Sequence, residues 1–134
     1  MLRMDSNLCD WSEEAERMLA PIFADDYSGG VADLKNQVMT RKASLHRVSQ
    51  EQKTIGYFAL RIDALAGMDE LVILAGVGSL PGVPLFDVFV PVLVQHAKEA
   101  GCGSVRLHCS RKAVLKKAAA QGFAFSEWVM RKKL

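Results

Sequence analysis

Apolar residues near the start of the chain recur with the spacing of an amphipathic helix. The members of this repeat are Ala15, Met18, Leu19, Ile22 and Phe23. Their spacing predicts a helix over residues 12–24. Asp10 followed by Glu13 has the form of a capping box at the helix start. A second apolar repeat after Gly29-Gly30 predicts a short helix that ends near Lys42.

The pattern then changes to one that favours β-strands. Residues 44–49 alternate, and residues 54–62 are rich in β-branched and aromatic side chains. Residues 70–77 are almost wholly apolar, which predicts a central strand buried on both faces. Polar or glycine-containing turns at 50–53 and 66–69 separate the three segments. We therefore expect an antiparallel meander.

The second half of the chain alternates between helical and strand patterns. Helices are predicted over residues 85–100 and 112–121, and Pro91 is expected to kink the first of them. Strands are predicted over residues 104–109 and within 123–134.

This order of elements predicts an α/β fold with a mixed sheet and helices on both faces. Hairpins come first, and two β-α crossover units follow. The length of 134 residues suits a single domain that spans the whole chain.

Composition excludes several classes of protein. The net charge of +2 is too small to indicate a nucleic-acid partner. The apolar stretch over residues 71–94 is broken by glycines and prolines, so we expect no membrane span. Three cysteines with no Cys-x-x-Cys pair, and an N-terminus without an apolar leader, predict a cytoplasmic protein. The three histidines are far apart, which disfavours a metal site.

The C-terminal half resembles the GNAT acyltransferase superfamily over residues 44–134. The resemblance lies in the strand–turn–helix of residues 70–100, in Gln121-Gly122-Phe123 after the last helix, and in the ending Val129–Leu134. It implies the GNAT fold, acetyl-CoA as co-substrate, and acyl transfer to an amine of an unidentified acceptor. It also implies a first strand, which would fall on Leu2–Met4.

In this superfamily a Gln/Arg-x-x-Gly-x-Gly/Ala turn binds the pyrophosphate of the cofactor. A turn of this kind lets backbone N–H groups and a helix N-terminus approach the phosphates. The equivalent residues here are 79–84, of which only Gly82 matches. Ser79 replaces Gln or Arg, and Pro84, which has no N–H, replaces Gly or Ala.

The resemblance assigns a cofactor role to six residues. Val77 or Gly78 would polarise the thioester carbonyl through a backbone N–H. The turn would hold the pyrophosphate through Leu80, Gly82 and Val83. Arg111 would pair with an anionic group of the ligand, or would belong to a solvated basic helix face.

Candidates for acid–base chemistry are few. Ala118 stands where many members of the superfamily have a tyrosine general acid. Glu70 would be a base, or a solvated turn residue. His108 would orient the thioester or accept a proton, or would be a partly buried structural histidine. Tyr57, in the middle of a strand, would line the core or the acceptor cleft.

An alternative function is a non-catalytic binding or structural protein on the same scaffold. Divergent GNAT-like proteins of this kind occur in bacteriophage genomes, among other places. The helix at Leu85–Val94 is apolar nearly all round, which predicts burial on more than one side, inside the domain or against another chain. A homo-oligomer or a protein partner would then use this helix or the N-terminal helices.

Overall fold

The computed structural model describes residues 5–23, 29–79, 81–82, 84–108, 112–127, 130–132 and 134, with the side chains of Leu85 and Lys112 left aside. The helices are α1 (Glu13–Leu19), a short 3-10 helix (Ala20–Phe23), α2 (Gly30–Met39), α3 (Leu85–Glu99) and α4 (Lys112–Ala120). The strands are β1 (Asp5–Cys9), β2 (Ser44–Gln50), β3 (Lys53–Leu65), β4 (Met68–Gly78) and β5 (Cys102–Leu107).

One mixed sheet organises the chain, with its strands in the order β1-β2-β3-β4-β5. Neighbouring strands from β1 to β4 are antiparallel, and β5 is parallel to β4. A parallel pair needs a crossover, which α3 supplies. The predicted α/β fold class, with its antiparallel meander and mixed sheet, is confirmed.

The first strand lies later in the chain than the resemblance implied. Leu2–Met4 fall outside the described residues, and the strand that pairs with β2 is Asp5–Cys9. Most of this strand is exposed, and its polar composition carries no clear strand pattern. This explains why the residues alone did not indicate it.

The cap of α1 was assigned to the wrong residue. Ser12 has extended backbone angles and its Oγ accepts a hydrogen bond from the Ala15 N–H at 3.1 Å. Ser12 is therefore the N-cap, and the capping box based on Asp10 is wrong. The competing serine won because its side chain reaches the third amide of the helix.

The predicted final strand is wrong for the residues that the structure describes after Gly122. Gly122 has a φ of +87°, and the Phe123 N–H donates to the Ala118 carbonyl at 3.1 Å, which ends α4. Phe123 packs against the core, but Phe125 and Met130 are exposed. Aromatic and β-branched residues favour strands only where they meet a half-buried surface.

Two hydrophobic clusters lie on opposite faces of the sheet, as predicted for a sheet with helices on both sides. The α3 face buries Phe58, Leu60, Leu71, Leu93 and Ala97, among others. The other face buries Ala15, Leu19, Leu34, Leu45 and Tyr57 against α1 and α2. In β4, Leu71, Val72 and Ile73 are consecutively buried, which confirms the predicted burial of this strand on both faces.

Helix α3 buries one face through Val90, Leu93 and Ala97, and its outer side carries Val92 at 52% exposure. The described residues therefore do not bury a second side of this helix, and contact of that side with another copy of the chain stays a prediction. The helix continues through Pro91. Among the described residues, no helix has both the length and the apolar character that crossing a bilayer requires.

A histidine pair links β2 to α3. The His46 ring stacks on Phe58 with centroids 4.8 Å apart, and the His96 ring meets it edge-on at 6.1 Å. Burial and the neighbouring His96 lower the pKa of His46 from its ordinary value of 6.5. The folded state therefore disfavours a proton that the unfolded chain accepts.

We predict that Leu45→Ala lowers the free energy of unfolding by about 2–5 kcal/mol, because Leu45 is fully buried and the change leaves a cavity. Leu8→Ala, on the adjacent strand and 71% exposed, is the matched control and should change stability by less than about 0.5 kcal/mol. Urea denaturation of both variants checks this. Equal effects would contradict the assignment of the core.

We also predict that protonation of His46 does not affect the free energy of unfolding well above pH 6.5. The free energy of unfolding should fall as the pH drops through 6.5, because the unfolded chain then binds a proton at His46 that the folded state disfavours. One proton can contribute a slope of at most about 1.4 kcal/mol per pH unit. Urea denaturation at pH 7.5, 6.5 and 5.5 should show a smaller loss for His46→Phe than for the wild type. His108→Gln, at an exposed position, should behave like the wild type.

Candidate functional site

A register shift bends β4 in the second half of its length. Ala59 pairs with Ala75, but the next residue, Leu60, pairs with Ile73. Leu74 is therefore the extra residue of a β-bulge. Ile73 packs on the α3 face, whereas Leu74 and Ala75 both pack on the α1 face, so the bulge changes which face each later residue occupies.

The bulge coincides with the separation of β4 from β5. Parallel pairing runs from Asp69–Cys102 to Ile73–Leu107 and ends there. Within the described part of the chain, β4 continues to Gly78 with β3 as its paired neighbour. A bulged strand bends and twists away from its neighbour. Beyond Ile73 the side of β4 that faces β5 therefore has no paired strand among the described residues, and we call the space there, past the C-terminal end of β5, the gap between β4 and β5.

Backbone groups of β4 face this gap. The Ser79 N–H donates to the Ile55 carbonyl at 3.0 Å, so Ser79 and Ile55 form a hydrogen-bonded pair. In an antiparallel ladder the direction of the backbone groups alternates. The register then turns Val77 towards β3, and turns the N–H and C=O of Gly76 and Gly78 towards the gap. Val77 and Gly78 were the two residues predicted to donate a backbone N–H to the thioester carbonyl. Of these, Gly78 is the one whose N–H faces the gap.

Gly56 of β3 supports this edge from behind. A Cβ at Gly56 would lie 2.2 Å from the Val77 carbonyl oxygen and 2.8 Å from the Gly78 Cα. Such distances are incompatible with any side chain, since both neighbours are backbone atoms. The close approach of β3 and β4 at this point therefore requires glycine.

The turn that follows β4 leads to the N-terminus of α3 at the same gap. Gly82 has a φ of +74°, which glycine adopts without strain. Pro84 is the N-cap of α3, and the Val88 N–H donates to its carbonyl at 3.3 Å. The amides of the first helical residues, 85–87, precede this bond and have no acceptor within the helix. They form a positive end for an anion, although Asp87 in the same turn carries the opposite charge.

Three predicted cofactor residues, Leu80, Val83 and Arg111, lie outside the described residues. His108 follows β5 directly and is exposed, so its alternative reading as a partly buried structural histidine is wrong. Glu70 pairs with Ser104, about 13 Å along β5 from His108 at the rise of a parallel strand. The structure therefore does not bring the two acid–base candidates together.

Glu70 belongs to a polar network, and its reading as a solvated turn residue is wrong. It lies within β4 and its side chain is 14% exposed. One carboxylate oxygen accepts a hydrogen bond from the Ser104 hydroxyl at 2.7 Å, and the other lies 3.3 Å from the Arg106 Nε. Both partners of this carboxylate come from β5, the parallel neighbour of β4, which sequence spacing could not show.

The network continues to β3 and α2. Asp63 accepts hydrogen bonds from Arg61 at 2.6 Å and from Arg106 at 2.9 Å. The bond from Arg61, helped by the charge of Arg106, holds the pKa of Asp63 below its ordinary value. Arg61 also donates to Gln37 of α2 at 3.0 Å. The Arg106 Nε is buried and faces Glu70 without hydrogen-bond geometry.

Tyr57 lies in the core on the α1 face, which confirms the first of its two predicted locations. It is 3% exposed, and its hydroxyl donates to Glu14 at 2.7 Å. Burial, followed by this hydrogen bond, raises the pKa of Tyr57 above its ordinary value of 10.0. Its proton is therefore held by Glu14 and is not directed into the gap.

A shallow cleft of about 1090 Å³ lies elsewhere, at the lower end of β2. Trp11, Met39, Arg41 and Arg61 are among its lining residues, and none of the predicted site residues that the structure describes contributes to it. Its size reflects an open groove under the start of β2. We therefore place the candidate site at the gap between β4 and β5.

No group of three or more His, Cys, Asp or Glu side chains in the described part of the chain is arranged to hold a metal ion. From the described residues, the gap has backbone donors, a helix N-terminus and the exposed His108 beside it.

Comparison with solved structures identifies the fold. A possible acetyltransferase from Clostridium difficile superposes with a TM-score of 0.75 at 9% identity, covering 100% of this chain and 98% of that one. An acetyltransferase from Trypanosoma brucei gives 0.70 at 19% identity, covering 98% and 100%. A predicted acetyltransferase with acetyl-CoA, from Clostridium acetobutylicum, gives 0.69 at 14% identity, covering 97% and 96%.

The chain thus has the fold of the GNAT acetyltransferases, as the resemblance implied. At these identities the likeness establishes the fold, and the function rests on the site. No family model and no curated protein matches the sequence.

We predict that Arg106→Met lowers the free energy of unfolding by about 1 kcal/mol, because it removes the partner of Glu70 and of Asp63 in a partly solvated network. Lys98→Met, at an exposed position of α3, is the control and should change stability by less than about 0.5 kcal/mol. Urea denaturation at pH 7 measures both. A silent Arg106→Met would show that the network does not support the sheet.

Proposed function

We propose that the protein is an acyl-CoA-dependent N-acyltransferase. The observation that carries the proposal is the gap between β4 and β5, towards which Gly76 and Gly78 turn backbone groups that no described strand pairs with, beside the N-terminus of α3. A pantetheine chain is long, thin and lined with amide groups. It can enter between separated strands and hydrogen-bond to backbone that the missing strand pairing leaves open.

The pyrophosphate of the cofactor would bind at the start of α3. Free amides at a helix N-terminus favour phosphate groups through hydrogen bonds and the helix dipole. Gly82 supports this role, because it has a positive φ and a Cβ built on it would meet no atom of the described residues within 4 Å, which lets phosphate oxygens approach the turn. We extend the role to Leu80 and Val83, and assign Arg111 to an anionic group of the ligand.

The reaction would be a direct transfer. The nitrogen of a neutral acceptor amine attacks the thioester carbonyl carbon, a C–N bond forms, and the C–S bond breaks. The released CoA thiolate accepts a proton, and the amide product is left neutral. The Gly78 N–H, or Val77 after local rearrangement, would stabilise the charge that develops on the carbonyl oxygen.

Between the two base candidates we favour His108 over Glu70. His108 is exposed beside the open end of β5, where an incoming amine could lose its proton. Glu70 is ion-paired with Arg106 and hydrogen-bonded to Ser104, which lowers its availability as a base. The acceptor would be an amine of a small molecule or a protein.

A second candidate function is ligand binding without catalysis. The observation that favours it is Ala118, which is buried in α4 at the position of the expected tyrosine acid and has no titratable group. Binding of acyl-CoA without release of free thiol, over a panel of primary amines, would support this second candidate.

We predict that acetyl-CoA stabilises the protein against thermal unfolding. A ligand at 100 times its dissociation constant adds about 2.7 kcal/mol when it binds only the folded state. Differential scanning fluorimetry with a titration of acetyl-CoA measures the shift. Absence of any shift at millimolar acetyl-CoA would contradict the proposed function.

A matched pair of variants locates the phosphates within the same experiment. Gly82→Asp and Gly82→Asn have nearly the same shape, both residues tolerate a positive φ, and a Cβ at this position meets no atom within 4 Å. Only Asp adds a negative charge. Gly82→Asp should weaken acetyl-CoA binding roughly fivefold relative to Gly82→Asn at low salt, with a smaller difference at high salt. Equal affinities would place the phosphates elsewhere.

A further inference from the structure

We propose that the site accepts acyl groups longer than acetyl, with the acyl chain lying in an apolar slot beside Gly76. This inference rests on the proposed function, since it concerns the acyl end of the same ligand. It makes Gly76 the residue that determines the length of acyl chain that can bind.

The surroundings of Gly76 support such a slot. Although β4 is a central strand, Gly76 is exposed. A Cβ built on it would have no heavy atom of the described residues within 4 Å beyond its chain neighbours. Strand residues alternate between faces, and Ala75 and Val77 pack on the α1 face. The empty space beside Gly76 therefore lies on the opposite face, towards α3.

The walls of this space are apolar. Phe58 lies directly opposite Gly76 on β3, and belongs to the buried cluster under α3. Phe89 of α3 packs on Phe58 with ring centroids 6.0 Å apart. Leu107, the last residue of β5, and Phe123 pack against the same cluster. A chain that passes between β4 and α3 would contact aromatic and aliphatic carbon.

The position of the slot suits the acyl end of the ligand. The backbone groups of Gly76 and Gly78 face the gap in which the thioester would lie, and the slot opens at the same residues. A thioester carbonyl bound there would direct its acyl chain past the hydrogen atom of Gly76. Each methylene buried in such an environment strengthens binding about fourfold.

The test compares dissociation constants of CoA, acetyl-CoA, butyryl-CoA and hexanoyl-CoA by isothermal titration calorimetry. For the wild type, butyryl-CoA should bind roughly fifteenfold more tightly than acetyl-CoA, since it buries two more methylenes. Gly76→Leu fills the slot and should reduce the ratio of the acetyl-CoA to the butyryl-CoA dissociation constant, measured within this variant, from roughly fifteen to about one. Ala119→Leu, at an exposed position of α4, adds the same side chain and should leave the series unchanged.

The outcomes separate this inference from the proposed function. Binding of CoA and acetyl-CoA with no gain for longer chains overturns the slot and leaves the transferase proposal standing. Failure of all four ligands to bind overturns both. Gly76→Ala, whose Cβ meets no neighbour, covers the case in which Gly76→Leu does not fold, and should reduce the preference for butyryl-CoA.

Discussion

The arrangement of the site depends on a conflict between strand pairing and ligand binding. Backbone donors in the middle of a sheet are normally consumed by the neighbouring strand, so a central strand offers nothing to a ligand. Here the extra residue Leu74 turns β4 aside at the point where β5 ends its pairing. The buried first half of β4 pairs with strands on both sides. In the second half, the backbone groups of Gly76 and Gly78 face the gap and do not pair with β5.

The two halves of β4 also differ in their side chains. Leu71, Val72 and Ile73 are buried in succession, with Leu71 and Ile73 in the cluster on the α3 face, and they anchor the strand. Beyond the bulge the residues of β4 are small except for Val77, and they are Ala75, Gly76 and Gly78. A strand interior with glycines is intrinsically weaker and permits close approach of other groups. The first half of β4 thus contributes to stability, and the second half is open to approach by other groups. The N-terminus of α3 lies beside this second half.

The sequence predicted those features that depend on periodicity. The helices over Glu13–Leu19 and Leu85–Glu99 and the meander from Ser44 follow from apolar spacing and turn residues. Features that depend on partners distant in sequence were missed or misplaced. Glu70 was read as a turn residue, because its partners Ser104 and Arg106 are contributed by β5.

The bulge at Leu74 has no local signature in a run of apolar residues, and only the alternate glycines at 76 and 78 could have indicated an irregular strand. The last strand was overpredicted for a related reason. Phe125 has the composition of a strand residue, but its side chain is 65% exposed. Propensity describes what a segment fits, and the chain must still supply the complementary face.

Gly56 gives the gap a back wall that cannot move independently. Since Val77 and Gly78 rest directly on the backbone of β3, a single methyl group at Gly56 would displace the far side of the opening without touching any ligand. The width of the gap therefore depends on a residue of β3, which does not itself line the gap. A substitution at Gly56 would change the size of ligand that the gap can hold, although every residue that lines the gap stayed the same.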